Sequence, residues 1–389
     1  MPDSPLTVGV VHSVGEIAAE AWNRLVPGRD GRPDNPFLDH AFFSALERSG
    51  SAGRRTGWQP HHLALTDAEG RTVGLMPLYL KSHSQGEYVF DHGWAEAFQR
   101  AGGAYYPKLQ CSVPFTPVTG PRFLAESDAG RLALLTAARQ LAERAGISSV
   151  HATFVEADEA ELARQSGWLL RHDTQYHWRN DGFSSFEEFL GTLSSRHRKA
   201  MRRERREAIG GNGLSVRWLT GTDLTEAAWD HFFAFYQDTG SRKWGRPYLN
   251  REFFSLLSEA MADRVLLMFA CDGDVPIAGT LSLIGHERLY GRYWGAIRDV
   301  PFLHFELCYY QAIDYAIAHG LKVVEAGAQG EHKLARGYAP TTTRSVHWIG
   351  HPGLRDAVAR FLAEERNSVE HEQQTLARYT PFRHGEPPK

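Results

Sequence analysis

One short pattern occurs twice in this chain, 205 residues apart, and it constrains the fold more than any single motif. His61-His62-Leu63-Ala64-Leu65-Thr66-Asp67 alternates as a strand does, turns at Glu69-Gly70 and resumes as a second strand from Thr72 to Leu80. The outline returns as Leu266 to Ala270, a turn at Asp272-Gly273-Asp274, and Pro276 to Leu283. Asp67 matches Asp272 and Gly74 matches Gly279 at the common spacing. Each hairpin leads, after a gap, to a helix, Arg131 to Arg144 and Phe305 to His319, stopped by Gly146 and Gly320. A strand follows each helix, Ile147 to Val155 and Leu321 to Ala326, and each copy ends on a His-Trp pair, His177-Trp178 and His347-Trp348. At 389 residues the chain is too long for one ordinary core. Hairpins followed by a single crossover helix predict α/β domains with mixed sheets (α+β), in tandem, rather than one doubly wound sheet.

The boundary is expected near Asp181-Gly182, which gives an N-terminal domain 1–180, a C-terminal domain 181–350, and a C-terminal helix and tail 351–389 packing on them. That helix, Leu354 to Leu376, carries Val358, Phe361, Leu362, Val369 and Leu376 on or near one stripe. Gly74 and Gly146 are 72 residues apart, whereas Gly279 and Gly320 are only 41 apart, so the first copy holds an insertion, the Gly/Pro-rich and aromatic stretch 91–122. Segments of that kind are commonly functional.

Net charge is −3, so attraction of the whole molecule to nucleic acid or membrane is not expected. Cys111, Cys271 and Cys308 are odd in number and form no C-x-x-C pair, which fits a reducing, cytoplasmic setting. The first residues have no basic-then-apolar signal pattern, and no apolar run is long enough to span a membrane.

Four constellations carry candidate chemistry. Glu325-Ala326-Gly327-Ala328-Gln329-Gly330-Glu331-His332-Lys333 leaves the end of a buried-looking strand, where α/β proteins place ligands. A carboxylate, an imidazole and an ammonium so close together can supply a general base and an oxyanion stabiliser; a loop held by salt bridges reads equally well. Tyr293-Trp294-Gly295 precedes His304-Phe305-Glu306 at the start of the second crossover helix, as site residues or as core aromatics and a cap. In Arg196 to Arg206, seven of eleven residues are Arg or Lys; as one helix, Arg196, Arg198, Lys199, Arg202, Arg203 and Arg206 would repel each other unless they meet anions. Phosphates of a donor substrate are one partner, acidic neighbours the other. Within the insertion, Lys108 and Arg122 beside Tyr105, Tyr106 and Phe115 suit either a groove wall or a structural flap. His304, Glu306, Glu325, Glu331 and His332 match no standard zinc spacing, so no metal is assigned. The G-x-S-x-G, P-loop and G-x-G-x-x-G signatures are absent.

The runs Leu303 to Gln311 and Glu325 to Tyr338 are similar to those of the FemAB-like predicted N-acyltransferases, also described as peptidoglycan biosynthesis/recognition proteins. Asn35-Pro36-Phe37-Leu38, Pro114 to Arg122 and Pro381-Phe382-Arg383 extend the resemblance over nearly the whole chain. It implies two tandem GNAT-like domains and, by way of the Fem aminoacyltransferases, transfer of an aminoacyl group from aminoacyl-tRNA to an amine. Those enzymes carry a lysine in a Phe-Lys-x-x-Phe-Gly-like run. Lys333 is the matching position, with His332 in place of Phe and Gly337-Tyr338 in place of Phe-Gly.

Acetyl-CoA-using relatives hold pyrophosphate on an Arg/Gln-x-x-Gly-x-Gly/Ala loop. Gly295 to Pro301 lacks it, which shifts weight from acyl-CoA toward aminoacyl-tRNA. The expectation is therefore an amide-forming acyltransferase with no tightly bound cofactor, acting on a small-molecule or peptide amine, with tRNA as a partner. Lys333 would hold the oxyanion, and Glu325 or His332 would take the proton. Tyr293, Trp294, His304, Glu306, Gln329, Glu331, Arg336, Tyr338, Lys108 and Arg122 would contact substrate, and the basic helix would hold the donor's phosphates. The rival reading is a non-catalytic module that binds a cell-wall or amino-acid-derived ligand.

Overall fold

The computed structural model describes residues 6–243, 247–327, 330–376, 379 and 381–383, without the side chains of 240–243 and 331. It contains two compact units, Met1–Asp173 with Thr342–His371 and Thr174–Thr341 with Glu372–Lys389. Units and sequence copies do not coincide. The strand Leu169–Arg179 closes the first copy but gives its second half to the second unit, and the strand Ala339–Ile349 closes the second copy but gives most of its length to the first.

In the first unit, His347 and Trp348 lie opposite His151 and Val150 of the crossover strand Ser149–Val155. In the second, His177 and Trp178 lie opposite Glu325 and Val324 of the crossover strand Val323–Glu325. The repeated His-Trp pair thus marks one register position used twice.

The second copy's hairpin is continuous. Val275–Ile284 pairs on one side with Val265–Asp272 and on the other with Arg288–Ala296. The first copy's is not. The strand expected over Thr72 to Leu80 breaks at Pro77, which has no N–H to give to a ladder. Thr72–Met76 pairs with His62–Thr66 in a four-stranded sheet, while Leu78–Lys81 pairs with Trp58–Pro60 and Lys108–Cys111 in another. Residues 91–122 hold the helix His92–Arg100 and the strand Lys108–Cys111, the latter running parallel to Ser149–Val155.

The helix Asp128–Ala145 ends at Gly146, whose φ of 64° is the left-handed stop its position predicts. It packs Leu134, Leu135, Ala138 and Ala142 against Leu63, Leu78, Leu109 and Val150. In the second unit Trp178, Phe189, Met268, Tyr310, Ile313 and Val324 share a core, and each such fully buried large side chain contributes about 1.5–3 kcal/mol. The helix Pro352–Leu376 buries Leu354, Val358 and Leu362, whereas Phe361, expected on the same stripe, is 46% exposed. No described helix is long and apolar enough to cross a membrane.

Candidate active site of the second unit

Arg288–Ala296 runs parallel to Val323–Glu325 only from Arg288 to Tyr290. Past Tyr290 and Glu325 the strands part, while Arg288–Ala296 continues beside Val275–Ile284 as far as Ala296. The parallel ladder thus ends at the carboxyl ends of these two strands, the usual place for a ligand in such sheets. Just there, Gly291 and Tyr293 pair with Ser282 and Leu281, which leaves Arg292 as the extra residue of a bulge. Bulges re-aim side chains, and the buried Arg292 turns to Glu325.

Glu325 is itself buried, and each carboxylate oxygen accepts from an arginine, Oε1 from Arg288 Nη1 and Oε2 from Arg292 Nη2, both at 3.1 Å. Burial pushes its pKa up, but His177, Arg292 and Arg288 outweigh burial and hold the group below the ordinary carboxylate value. With both oxygens occupied and the anion favoured, Glu325 is a poor proton acceptor.

The crossover helix begins after Phe302, a non-glycine residue at φ 63°, a strained entry of the kind that clusters at functional sites. It starts as Leu303–Phe305, passes through a π turn at Glu306–Tyr310 and continues as Gln311–Ala318. Such turns are rare and frequent at functional sites. The aromatic cluster forms here. Trp294 meets His304 at 5.3 Å between ring centroids, and His304 meets Tyr309 at 5.5 Å. Phe305 and Tyr309 meet His332 at 5.6 and 5.7 Å, and Tyr309 meets Tyr338 at 5.5 Å. His332 is exposed, and its Nε2 hydrogen-bonds the Tyr309 hydroxyl at 2.9 Å. Burial of the ring holds the His332 pKa below its ordinary value, with Arg336 and Lys333 adding to the effect.

The tight turn Glu331–Arg336 carries Lys333 and ends at Gly337, whose φ of 84° favours glycine. Lys333 is 1% exposed. Its Nζ donates to the Gly327 carbonyl at 3.0 Å and lies 6.0 Å from the Tyr176 ring; no carboxylate pairs with it among the described residues. Burial lowers its pKa to about 7, with Cys308 opposing and Arg292 adding to the fall.

Several expected contacts lie elsewhere. Tyr293 and Trp294 do not form one wall. Neighbours on a strand point to opposite faces, and Tyr293 packs on Tyr236 at 5.2 Å while Trp294 packs on His304. Glu306 is buried against the basic helix, accepting from Arg205 Nη2 at 3.0 Å and from Gln311 Nε2 at 2.7 Å. Arg336 is also buried; it donates to Glu204 at 2.8 Å and to the Tyr310 hydroxyl at 3.0 Å, and it stacks over Phe305 at 3.5 Å. Gln329 and the Glu331 side chain lie outside the described residues.

Lys108 and Arg122 are interior residues of the first unit, not groove walls. Lys108 donates to Glu87 at 2.6 Å and Asp91 at 2.5 Å. Arg122 donates to the carbonyls of Val118, Gly120 and Thr153, which pins the end of the 91–122 segment.

The basic stretch is the helix Ser195–Ala208. Glu204 and Arg205 tie it down, the latter to Glu306 and to Asp314 at 2.6 Å. Arg196, Lys199, Arg202, Arg203 and Arg206 are exposed, and Arg198 is half-buried with a bond to the Leu193 carbonyl. Arg202 pairs with Glu187 and Arg203 with Glu207, while Arg196, Lys199 and Arg206 have no ion-pair partner among the described residues.

Arg288, Arg292, His177, Tyr176 and Tyr309 were not expected as site residues. His177 had a usable signal in its repeated pair, and Tyr309 in its place within the run Leu303 to Gln311.

A duplicated mixed-sheet unit, each copy with one crossover helix, is a tandem GNAT-type fold. The sequence model of the FemAB-like family, described as peptidoglycan biosynthesis/recognition, matches residues 13–384, and the chain belongs to that family. FemX is similar in structure, with a TM-score of 0.52 and 14% identity, over 90% of this chain and all of FemX. A conserved protein of unknown function from Bacteroides thetaiotaomicron VPI-5482 aligns with a TM-score of 0.50 and 12% identity, over 88% of this chain and 99% of that one. A tandem GNAT protein from the clavulanic acid biosynthesis pathway gives 0.47 and 12% identity, over 90% and 99%. No curated protein matches the sequence.

Proposed function

We propose that this acyltransferase moves an acyl or aminoacyl group from an activated donor to the amine of a small molecule or peptide, and that the reaction occurs at the strand ends where the parallel ladder of the second unit stops. The family's description points toward a peptidoglycan-related acceptor. The observation that carries the reading is Lys333, a buried amine without a carboxylate partner among the described residues, beside a cluster of aromatic and imidazole side chains at the strand ends.

Aminoacyl-tRNA is favoured over acyl-CoA as donor. Gly295 to Pro301 lacks the glycine-rich pyrophosphate loop, and Arg196, Lys199 and Arg206, with no ion-pair partner among the described residues, leave positive charge on a helix anchored beside the crossover helix. No tightly bound cofactor is required, and the reaction belongs in the cytoplasm, where charged tRNA is made. His332 and Trp294 would contact the acceptor; Glu325 would act as a fixed anion that sets the arginines.

Incubation with charged tRNA pools or acyl-CoAs and a panel of amines, read by mass spectrometry, tests this. Amide should form with wild type and not with Lys333→Ala, which should remain folded. Turnover retained by Lys333→Ala removes the lysine from the mechanism, and binding of an amine without turnover for any donor identifies a binding module instead.

A further inference from the structure

Among the described residues, two polar groups of the Lys333 turn lack the partners that burial ordinarily demands. A buried ammonium without a counter-charge is costly, so such a lysine is held as the free amine, whose lone pair can accept a proton. Lys333 meets that description: it is buried, and its one hydrogen bond among the described residues goes to the Gly327 carbonyl. The second group is the Tyr338 hydroxyl. Tyr338 is 1% exposed and its hydroxyl has no hydrogen-bond partner among the described residues. A phenol is seldom buried unsatisfied, and one beside a reaction site is a donor held in reserve.

The two residues are fixed relative to each other, because the Tyr338 N–H donates to the Lys333 carbonyl at 3.2 Å and closes the turn. Both lie within electrostatic reach of Cys308 in the π turn. The other charged or titratable groups facing the amine are Arg292 from the bulged strand, Tyr176 from Leu169–Arg179, and His332 on the turn itself, while Arg336 acts on His332 and Tyr338. Arg336 is neutralised by Glu204 of the basic helix.

Resting on the transfer reaction proposed above, we propose that Lys333 is the proton acceptor for the attacking amine and that the Tyr338 hydroxyl is the hydrogen-bond donor for the acyl oxygen. The acceptor nitrogen attacks the acyl carbon and forms the C–N bond. The carbonyl oxygen becomes an oxyanion bonded by Tyr338, and the nitrogen's proton passes to Lys333 Nζ. Collapse breaks the bond to the donor oxygen or sulfur. The leaving group takes the proton from the Lys333 ammonium, which returns the amine to its starting state. This reverses the part expected of Lys333 from resemblance. The low pKa of the buried amine agrees with it.

Lys333→Arg keeps a cation and its donors but cannot accept a proton near neutrality, so it should lose as much turnover as Lys333→Ala. An oxyanion-binding cation would instead tolerate arginine. Tyr338→Phe should lower kcat about 100-fold or more, with the acceptor KM little changed. Its melting temperature should equal or exceed that of wild type, because the lost hydroxyl had no partner. In protein labelled with 15N-lysine, the Nζ signal absent from Lys333→Arg should titrate near neutrality, a readout independent of turnover. Titration in the ordinary lysine range, an active Lys333→Arg or an unaffected Tyr338→Phe overturns this assignment while leaving acyl transfer intact. Wild type that makes no amide with any donor overturns the transfer reading, and the assignment with it.

Discussion

The register position that holds Glu325 in the second unit holds His151 in the first. Glu325 lies between Tyr290 and His177; His151 lies between Gln110 and His347. In the second unit the parallel strands part after this pair. In the first they stay paired for another residue, through Ala152 and Cys111, and the surrounding interior is filled with charge. Lys108 joins Glu87 and Asp91, the Tyr105 hydroxyl donates to Asp91 at 2.7 Å, and His151 Nδ1 meets His347 Nδ1 at 2.7 Å.

Two wholly buried lysines show what the difference does. Burial acts to lower the pKa of Lys108, but Glu87 and Asp91 more than reverse it, so it is raised. Lys333, with no such partner among the described residues, falls to about 7. Two close carboxylates thus keep Lys108 a cation, whereas burial prevails at Lys333 and also at Lys81 of the first unit, which lies 3.6 Å from Glu87 and is likewise lowered to about 7.

The strongest way to break this contrast is to unlock the first unit. Lys108→Met leaves buried Asp91 without its lysine and Glu87 with only Lys81, 3.6 Å away, which should cost about 3–5 kcal/mol of stability in chemical denaturation. Activity per folded molecule at low temperature should be unchanged, because no reacting group is touched. A variant as stable as wild type would show that the ion pairs merely occupy space that an apolar side chain fills as well.

Lys333→Met should act in the opposite sense. An unfolded lysine keeps its proton up to about pH 10.5, whereas folded Lys333 releases it from about 7, so folding costs stability at pH 7 and below. That cost fades as pH climbs from 7 to 10.5. Removing the amine should therefore stabilise the protein by roughly 4 kcal/mol at pH 7 and by less than about 1 kcal/mol near pH 10.5, while abolishing transfer. Urea melts at the two pH values measure it. Equal shifts at both would mean that packing, not proton release, sets the change.

How much of this was readable beforehand follows the range of the forces involved. The second hairpin, both crossover helices, their glycine stops and the His-Trp strands are encoded within windows of a dozen residues by hydrophobic period and punctuation, and they fold as read. The break at Pro77 was local too, but only the sheet on each side shows why it matters. The bulge that frees Arg292, the π turn at Glu306–Tyr310 and the partners of Lys108, Glu306 and Arg336 arise from residues 17 to 132 positions away in sequence or from ladder register, which composition does not carry. The cluster around Lys333 is legible as a run of polar residues after a strand, but its charge state is not, because an amine reads as an ammonium until burial is known.

The smallest effect on stability should come from the basic helix, and it divides that helix in two. Arg205 is spoken for: Glu306 and Asp314 depend on it, and Arg205→Ala would strand two partly or fully buried carboxylates. Arg196, Lys199 and Arg206 bind nothing among the described residues, so the triple alanine variant should change stability by no more than about 0.5 kcal/mol. If these three meet donor phosphates, that variant should bind charged tRNA more weakly. The slope of log affinity against log salt should then flatten by about 0.7–0.9 for each phosphate no longer neutralised, or roughly 2 for all three. A helix that merely carries surface charge predicts the same stability and an unchanged slope, so filter binding of the triple variant across a salt series separates the two. An unaltered slope with intact transfer would place the donor's phosphates elsewhere on the second unit and leave the Lys333 centre untouched, since the anchoring pairs through Glu204 and Arg205 survive in the variant.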